Sequence, residues 1–262
     1  MPIRPHRNAR YYRRGVVRSV LALEEASLNS LPGLQTLLYD GWIVRYGAGY
    51  TGRANSVTAL YGSTLEIEQK IAFCEQFYQA RGLKPAFRLT HHSHPDNLDA
   101  LLEERGYQRG RATSVQTLSL SQNFSALNAP LHIEASPSQE WLELFFALRE
   151  QNTLALPTLR AMLGNIPSPC AYATLKDEEE SVAVGLAILE DGLVGLFDIT
   201  THPQRRRQGY GRALVQGLLQ WGRENGAQDT FLQVMQDNLP AQSLYKSLGF
   251  QEVYTYWYRF HP

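Results

Sequence analysis

Between residues 201 and 212 the chain reads Thr-His-Pro-Gln-Arg-Arg-Arg-Gln-Gly-Tyr-Gly-Arg, with four arginines and two glycines in one short stretch. Gly209 and Gly211 carry no Cβ, so the backbone there can take positive φ and approach a ligand closely. The arginines add fork-shaped donors suited to phosphate oxygens. Ahead of this stretch, residues 193–199 are rich in Leu, Val, Ile and Phe and read as a buried strand. Behind it, Ala213, Leu214, Gly217, Leu218 and Trp221 recur at helical spacing, so a helix opens near Gly211. A strand, a basic glycine loop and a helix start in that order aim unpaired backbone N–H groups and a positive helix end at one point. That is phosphate chemistry. The pattern is neither G-x-x-x-x-G-K-S/T nor G-x-G-x-x-G followed by an acid about 20 residues on, which sets nucleoside triphosphates and dinucleotides aside. The loop reads as a pyrophosphate cradle.

Arg206-Arg207-Gln208-Gly209-Tyr210-Gly211 fills the pattern Q/R-x-x-G-x-G/A and resembles the acyl-CoA loop of the GNAT (general N-acetyltransferase) superfamily. Further on, Asn238-Leu239-Pro240-Ala241-Gln242-Ser243-Leu244-Tyr245-Lys246-Ser247-Leu248-Gly249-Phe250 resembles that family's N-x-x-A-x-x-L-Y-x-x-x-G-F helix. The resemblance covers about residues 131–258. It implies acetyl-CoA as acyl donor, a small-molecule or peptide amine as acceptor, direct attack in a ternary complex, and no metal. The implied coenzyme-binding set is Ile199, Thr200, Thr201, Arg206, Arg207, Gln208, Gly209, Tyr210, Gly211, Arg212 and Asn238, the first three pairing with the pantetheine arm in the manner of an added strand. Tyr245 is the implied acid at the leaving sulfur, since a phenol can hydrogen-bond to a thiolate or protonate it. Asn238 also stands where an N-cap belongs. For the base, Asp198 is the first candidate, with a purely structural carboxylate as the alternative. His202, in a His-Pro turn, reads as positional rather than catalytic.

Two other functions fit parts of this pattern. A non-catalytic acyl-CoA sensor would bind the coenzyme and be indifferent to the Tyr245 hydroxyl. A tandem GNAT-fold aminoacyl transferase would use charged tRNA, against which the intact loop and the balanced charge argue. The 262 residues hold 25 acidic and 25 basic side chains, so any positive field is local and neither nucleic acid nor membrane is an expected partner. No apolar run reaches the ~18 residues of a membrane span. Cys74 and Cys170 form no disulfide framework, and a cytoplasmic location is expected.

The positioning elements follow from pattern. Helices are predicted over 16–31, 65–81, 98–105, 139–149 and 156–163, and strands over 41–46, 54–61, 85–90, 111–120, 131–135, 171–175 and 182–189. The acidic run 177–180 reads as a solvated hairpin tip. Residues 101–108, ending Gly-Tyr-Gln, align with 244–251, ending Gly-Phe-Gln, and the same offset lays 87–90 over 230–233. This suggests an internal duplication: an α/β (mixed α+β) fold of tandem GNAT-like units, each a mostly antiparallel sheet flanked by helices. The expected division is a basic tail 1–15, a degenerate unit 16–122, a linker 123–130 and the acetyltransferase unit 131–262. In the first unit Leu60-Tyr61-Gly62-Ser63-Thr64 stands where the arginine loop should be, and Leu102 stands where Tyr245 should be. That unit is expected to be structural or to wall the acceptor pocket, with residues 42–45 and 53–57 as core strands or pocket lining.

Overall fold

The computed structural model describes residues 18–121 and 131–262; the basic tail and the linker lie outside the described residues. The first half carries α1 (Val20–Ser30), β1 (Gln35–Tyr39), β2 (Trp42–Tyr46), β3 (Val57–Thr58), α2 (Ile67–Gln79), β4 (Ala86–Thr90), α3 (Leu98–Glu104) and β5 (Gln108–Ser119). The second carries β6 (Leu131–Glu134), α4 (Gln139–Leu148), α5 (Leu156–Gly164), β7 (Cys170–Asp177), β8 (Glu180–Glu190), β9 (Leu193–Thr201), α6 (Tyr210–Glu224), β10 (Asp229–Met235), α7 (Leu239–Ser247) and β11 (Gln251–Phe260). Helix starts follow capping chemistry. The Ser19 hydroxyl accepts from the Ala22 N–H at 3.2 Å and the Ser138 hydroxyl from the Trp141 N–H at 3.1 Å. The strand expected over 54–61 shrinks to two residues, because Gly52–Ala54 forms a 3-10 turn instead. The exposed strand β1, with four of its five side chains facing solvent, lacked the apolar alternation that would have revealed it.

The strands form one mixed sheet in the order β1-β2-β3-β4-β11-β5-β10-β9-β8-β7-β6. The halves exchange their last strands. β11, from the second half, lies between β4 and β5, while β5, from the first, pairs with β10. The side chains follow the strands. Trp257 of β11 packs with Trp42, Phe87 and Tyr107 of the first half, and Leu118 of β5 packs with Leu214, Leu218 and Phe250 of the second. Arg259 of β11 binds Asp99 of α3, Nε to Oδ1 at 2.8 Å, and donates to the Tyr107 carbonyl at 3.1 Å. Tyr254 donates to Glu24 of α1 at 2.6 Å, and Glu24 in turn accepts from Arg88 of β4 at 2.9 Å. Tyr254, Tyr256, Trp257 and Tyr258 are all buried. At roughly 1.5–3 kcal/mol for each large side chain buried, this one strand represents an energy comparable to the whole stability of a domain. A third aromatic cluster, with Trp141, Phe145, Phe146, Tyr172, Phe197 and Phe231, lies under α4.

Candidate active site

The cleft begins where two parallel strands part. β9 and β10 pair from Leu193–Asp229 to Leu196–Leu232 and no further. Beyond that point β10 continues along β5, opposing Gln233 to Val115 and Met235 to Thr113. β9 continues along β8, opposing Thr200 to Val184 and Thr201 to Ala183. The edges that face each other are left without strand partners. A bulge in β9 produces the divergence: between the Leu186–Phe197 and Val184–Thr200 pairs β9 has an extra residue, and Asp198 takes φ +53°. Gly185 faces this bulge. A Cβ there would lie 2.7 Å from Cδ1 of Ile199 and 3.1 Å from Cδ1 of Leu218, so any larger residue would push these side chains from their present positions.

The opening widens into a cleft of about 1360 Å³ reaching the arginine loop and α7. Of the thirteen residues expected in the site, all but Gln208 line it; the Gln208 amide turns back to donate to the Gln204 carbonyl at 3.4 Å. After β9 the chain makes a 3-10 turn at Pro203–Arg205, held by the Gln204 N–H donating to Nδ1 of His202 at 3.2 Å, a positional role. Arg207 and Gly209 then take φ +66° and +93°, turning the chain into α6. A Cβ on Gly209 would meet nothing within 4 Å, so glycine is there for its backbone angle and for the open space above it. Gly211 differs, because a Cβ there would press to 3.3 Å from Oγ1 of Thr201.

The arginines divide into two groups. Arg205 forms an ion pair with Glu180 and sits 3.7 Å from Asp177, and the Tyr210 hydroxyl donates to Asp177 at 2.5 Å. The acidic hairpin is thus a brace under the loop, not merely a solvated tip. Arg212 donates to the Ser247 hydroxyl at 2.6 Å, tying α6 to α7. Arg206 and Arg207 are exposed and have no ion pair or hydrogen bond among the described residues, which leaves both guanidinium groups available beside the open N–H groups of α6.

Across the cleft, α7 starts at Asn238, whose Oδ1 accepts from the Ala241 N–H at 3.3 Å and whose amide nitrogen remains for the cleft it lines. Helical spacing puts Ala241, Leu244 and Leu248 on one apolar stripe of α7. They are only partly covered, and Tyr245 is the buried residue of the helix, 7% exposed. Its ring packs edge-on to Phe250, centroids 5.7 Å apart. Its hydroxyl reaches the cleft with no hydrogen-bond partner among the described residues, and burial pushes its pKa up to about 12.

Asp198, its side chain 10% exposed, is the one carboxylate among the described residues lining the cleft. Its Oδ1 lies 3.9 Å from Arg53 and 3.7 Å from Arg149. Burial, with the Asp198 charge behind it, also holds the nearby Tyr50 phenol up at about 12. Sequence reasoning did not pair Arg53 or Arg149 with this carboxylate. Arg53 lay in the segment left open between core strand and pocket lining, and the structure puts Thr51, Gly52 and Arg53 on the cleft wall.

The family model described as probable histone acetyltransferase Rv0428c, C-terminal, matches residues 18–259. The uncharacterised N-acetyltransferase YobR of Bacillus subtilis is 29% identical over 244 residues, covering 90% of this chain and 96% of that protein. The [ribosomal protein bS18]-alanine N-acetyltransferase of Haemophilus ducreyi is 30% identical over 123 residues, covering 46% of this chain and 83% of that one. Among solved structures, a GCN5-related N-acetyltransferase from Kribbella flavida shares the fold with a TM-score of 0.67 at 16% identity, over 92% of this chain and 93% of its own. With a family model spanning nearly all its described residues, the chain belongs to the Rv0428c C-terminal family of GNAT-type N-acetyltransferases.

Proposed function

We propose that this enzyme transfers the acetyl group of acetyl-CoA directly to an amine, with both substrates bound at once. The observation that carries the reading is the parting of β9 and β10 at Leu196 and Leu232, with a phosphate-binding loop at one side of the gap and an unpartnered phenol at the other. The residues fit the donor. Arg206, Arg207 and the N–H groups from Gly209 to Arg212 would hold its pyrophosphate. The free edge of Ile199, Thr200 and Thr201 would pair with the pantetheine amides, and Asn238 would contribute its amide nitrogen.

Bound there, the coenzyme supplies a thioester carbonyl to the acceptor. The amine nitrogen forms a bond to that carbon, and the C–S bond breaks with its electron pair going to sulfur. Tyr245 donates its O–H to the sulfur as it leaves. Asp198, directly or through water, takes the proton the amine must lose. Holding amine and thioester in line accounts for much of the remaining acceleration. The acceptor is a small-molecule or peptide amine, a class supported by the bS18-alanine enzyme among the relatives, and the compartment is the cytoplasm. The half before residue 123, with no arginine loop and with Leu102 at the position matching Tyr245, is proposed as a degenerate repeat serving as wall and scaffold.

Calorimetric titration with acetyl-CoA, followed by thiol release with DTNB over a panel of amines, tests this. Micromolar binding with amine-dependent release is expected. Absence of both would overturn the reading.

A further inference from the structure

The end of the cleft away from the arginine loop carries its own positive charge. Arg53, Arg149 and Arg111 line it, opposed, among the described residues, by the one carboxylate of Asp198. Arg53 and Arg149 reach that carboxylate only at 3.9 and 3.7 Å, longer than a good charge-assisted hydrogen bond, so their donors are not used up. Arg111 has no ion pair among the described residues and packs its guanidinium 5.1 Å from the Phe260 ring centroid. Its backbone takes φ +53°, as Asp198's does, a conformation unfavourable for a side chain with a Cβ and often retained where it aims a functional group. Gly52 makes room for it: a Cβ on Gly52 would stand 3.2 Å from Nη1 of Arg111.

A second, independent feature lies behind this wall. Arg45 is fully buried, yet its hydrogen-bond partners among the described residues are backbone carbonyls, those of Leu28, Leu31 and Arg53, with no carboxylate. A buried guanidinium without a counter-ion is costly, and it adds to the positive potential of the segment that carries Arg53. The pyrophosphate sits with the other arginines, so this surplus faces the second substrate.

We infer that the acceptor is an amine carrying its own carboxylate, which Arg53, Arg111 and Arg149 receive while its amino group is turned toward the thioester. The inference rests on the proposed acetyl transfer and narrows its acceptor. A carboxylate could come from a free amino acid or from an acidic residue at a peptide N-terminus; the geometry recognises the shared group, and the assay separates the two.

The test is steady-state thiol release by the full chain with saturating acetyl-CoA. The acceptors are the common L-amino acids, their C-terminal amides, tripeptides beginning with Asp or Glu, spermidine and a lysine-rich hexapeptide. At least one carboxylate-bearing amine is expected to exceed its own amide about tenfold or more in kcat/KM. Arg111→Gln should raise the KM for that acid about tenfold while leaving its amide and the acetyl-CoA Kd unchanged, and Arg111→Lys should recover much of the loss. Acids and amides used equally, preference for spermidine or the lysine-rich peptide, or acetyl-CoA binding with no panel member turned over would each overturn the inference while leaving coenzyme binding intact. Failure to bind acetyl-CoA would instead remove the proposed function itself.

Discussion

Replacing Tyr245 by phenylalanine removes one hydroxyl and leaves the ring against Phe250. Because that hydroxyl has no hydrogen-bond partner among the described residues, no protein group is orphaned, and the cost in stability should stay within about 0.5 kcal/mol. The catalytic cost depends on what the phenol does. Outright transfer of a proton from a group at about 12 to a thiolate of ordinary pKa near 8.5 is uphill by about 5 kcal/mol, so full protonation of free thiolate is a poor use of this residue. A hydrogen bond to developing negative charge on sulfur is worth about 1.5–3 kcal/mol, which predicts a fall in kcat of about 10- to 150-fold. The acetyl-CoA Kd and the acceptor KM should scarcely move, since the interaction forms only as the C–S bond breaks. The assay is thiol release at saturating concentrations of both substrates, with a thermal melt as control. Turnover within twofold of the parent, with the coenzyme still bound, would refute a role at sulfur. A large loss accompanied by a melting point many degrees lower would show instead that the hydroxyl matters to the fold.

The same burial fixes a pH signature. A raised pKa keeps Tyr245 protonated, and able to donate, to higher pH, so kcat/KM should rise as the acceptor amine deprotonates and show no descending limb from this group below about pH 11; a limb with a midpoint near 9 or 10 in the parent but absent from Tyr245→Phe would contradict this. Gly209→Ala places a Cβ at φ +93° in open space, so the strain should cost about 1 kcal/mol and weaken acetyl-CoA binding modestly, whereas Gly209→Asp adds a charge beside the phosphates and should weaken it at least tenfold more by calorimetry. Truncation after Phe250 removes a strand from the middle of the sheet and should leave no cooperatively folded protein by circular dichroism; a folded, coenzyme-binding product would show that the strand exchange is dispensable.

The loop and the α7 motif were legible because each is local: a strand, a turn needing positive φ, a helix start and its cap lie within a few residues of one another. The sites that escaped are those assembled across the chain. Nothing in spacing joins Arg53 and Arg149 to Asp198, since each comes from a different element and they meet only through the fold. The acidic hairpin is the solvated tip its charge run implies, but its bracing contacts were missed for a related reason. A run such as Asp177 to Glu180 is ordinarily solvated, and its pairing with Arg205 and Tyr210 depends on β7 and β8 carrying the hairpin to the mouth of the loop. The apolar stripe on α7 follows from helical spacing alone. Spacing identifies a face, but the neighbours decide which residue on it is most deeply covered, and Phe250 places Tyr245 there. The proposed duplication rests on a short alignment, whereas the single sheet was not legible, because a strand's partner is not encoded in its own alternation.

That sheet suggests why a half without the coenzyme loop would be kept. The pairing β4-β11-β5-β10 is symmetric about its centre. β4 and β10 each lie parallel to the strand before them, β3 and β9, and each receives the other half's final strand on its far edge. A simple tandem array would give each half its own closing strand and an independent fold. Exchange instead makes β5, among the described residues, the only strand neighbour of β10 along the part of the cleft where β9 has turned away, so part of the cleft wall, including Thr113 and Arg111, belongs to the first half. With that strand supplied by the first half of the same chain, the proposed reaction needs no phosphate loop in that half, yet the half itself is required. Its contribution to the cleft is positional and electrostatic: a strand paired with β10 beside the gap, and the guanidinium groups of Arg53 and Arg111 on the cleft wall.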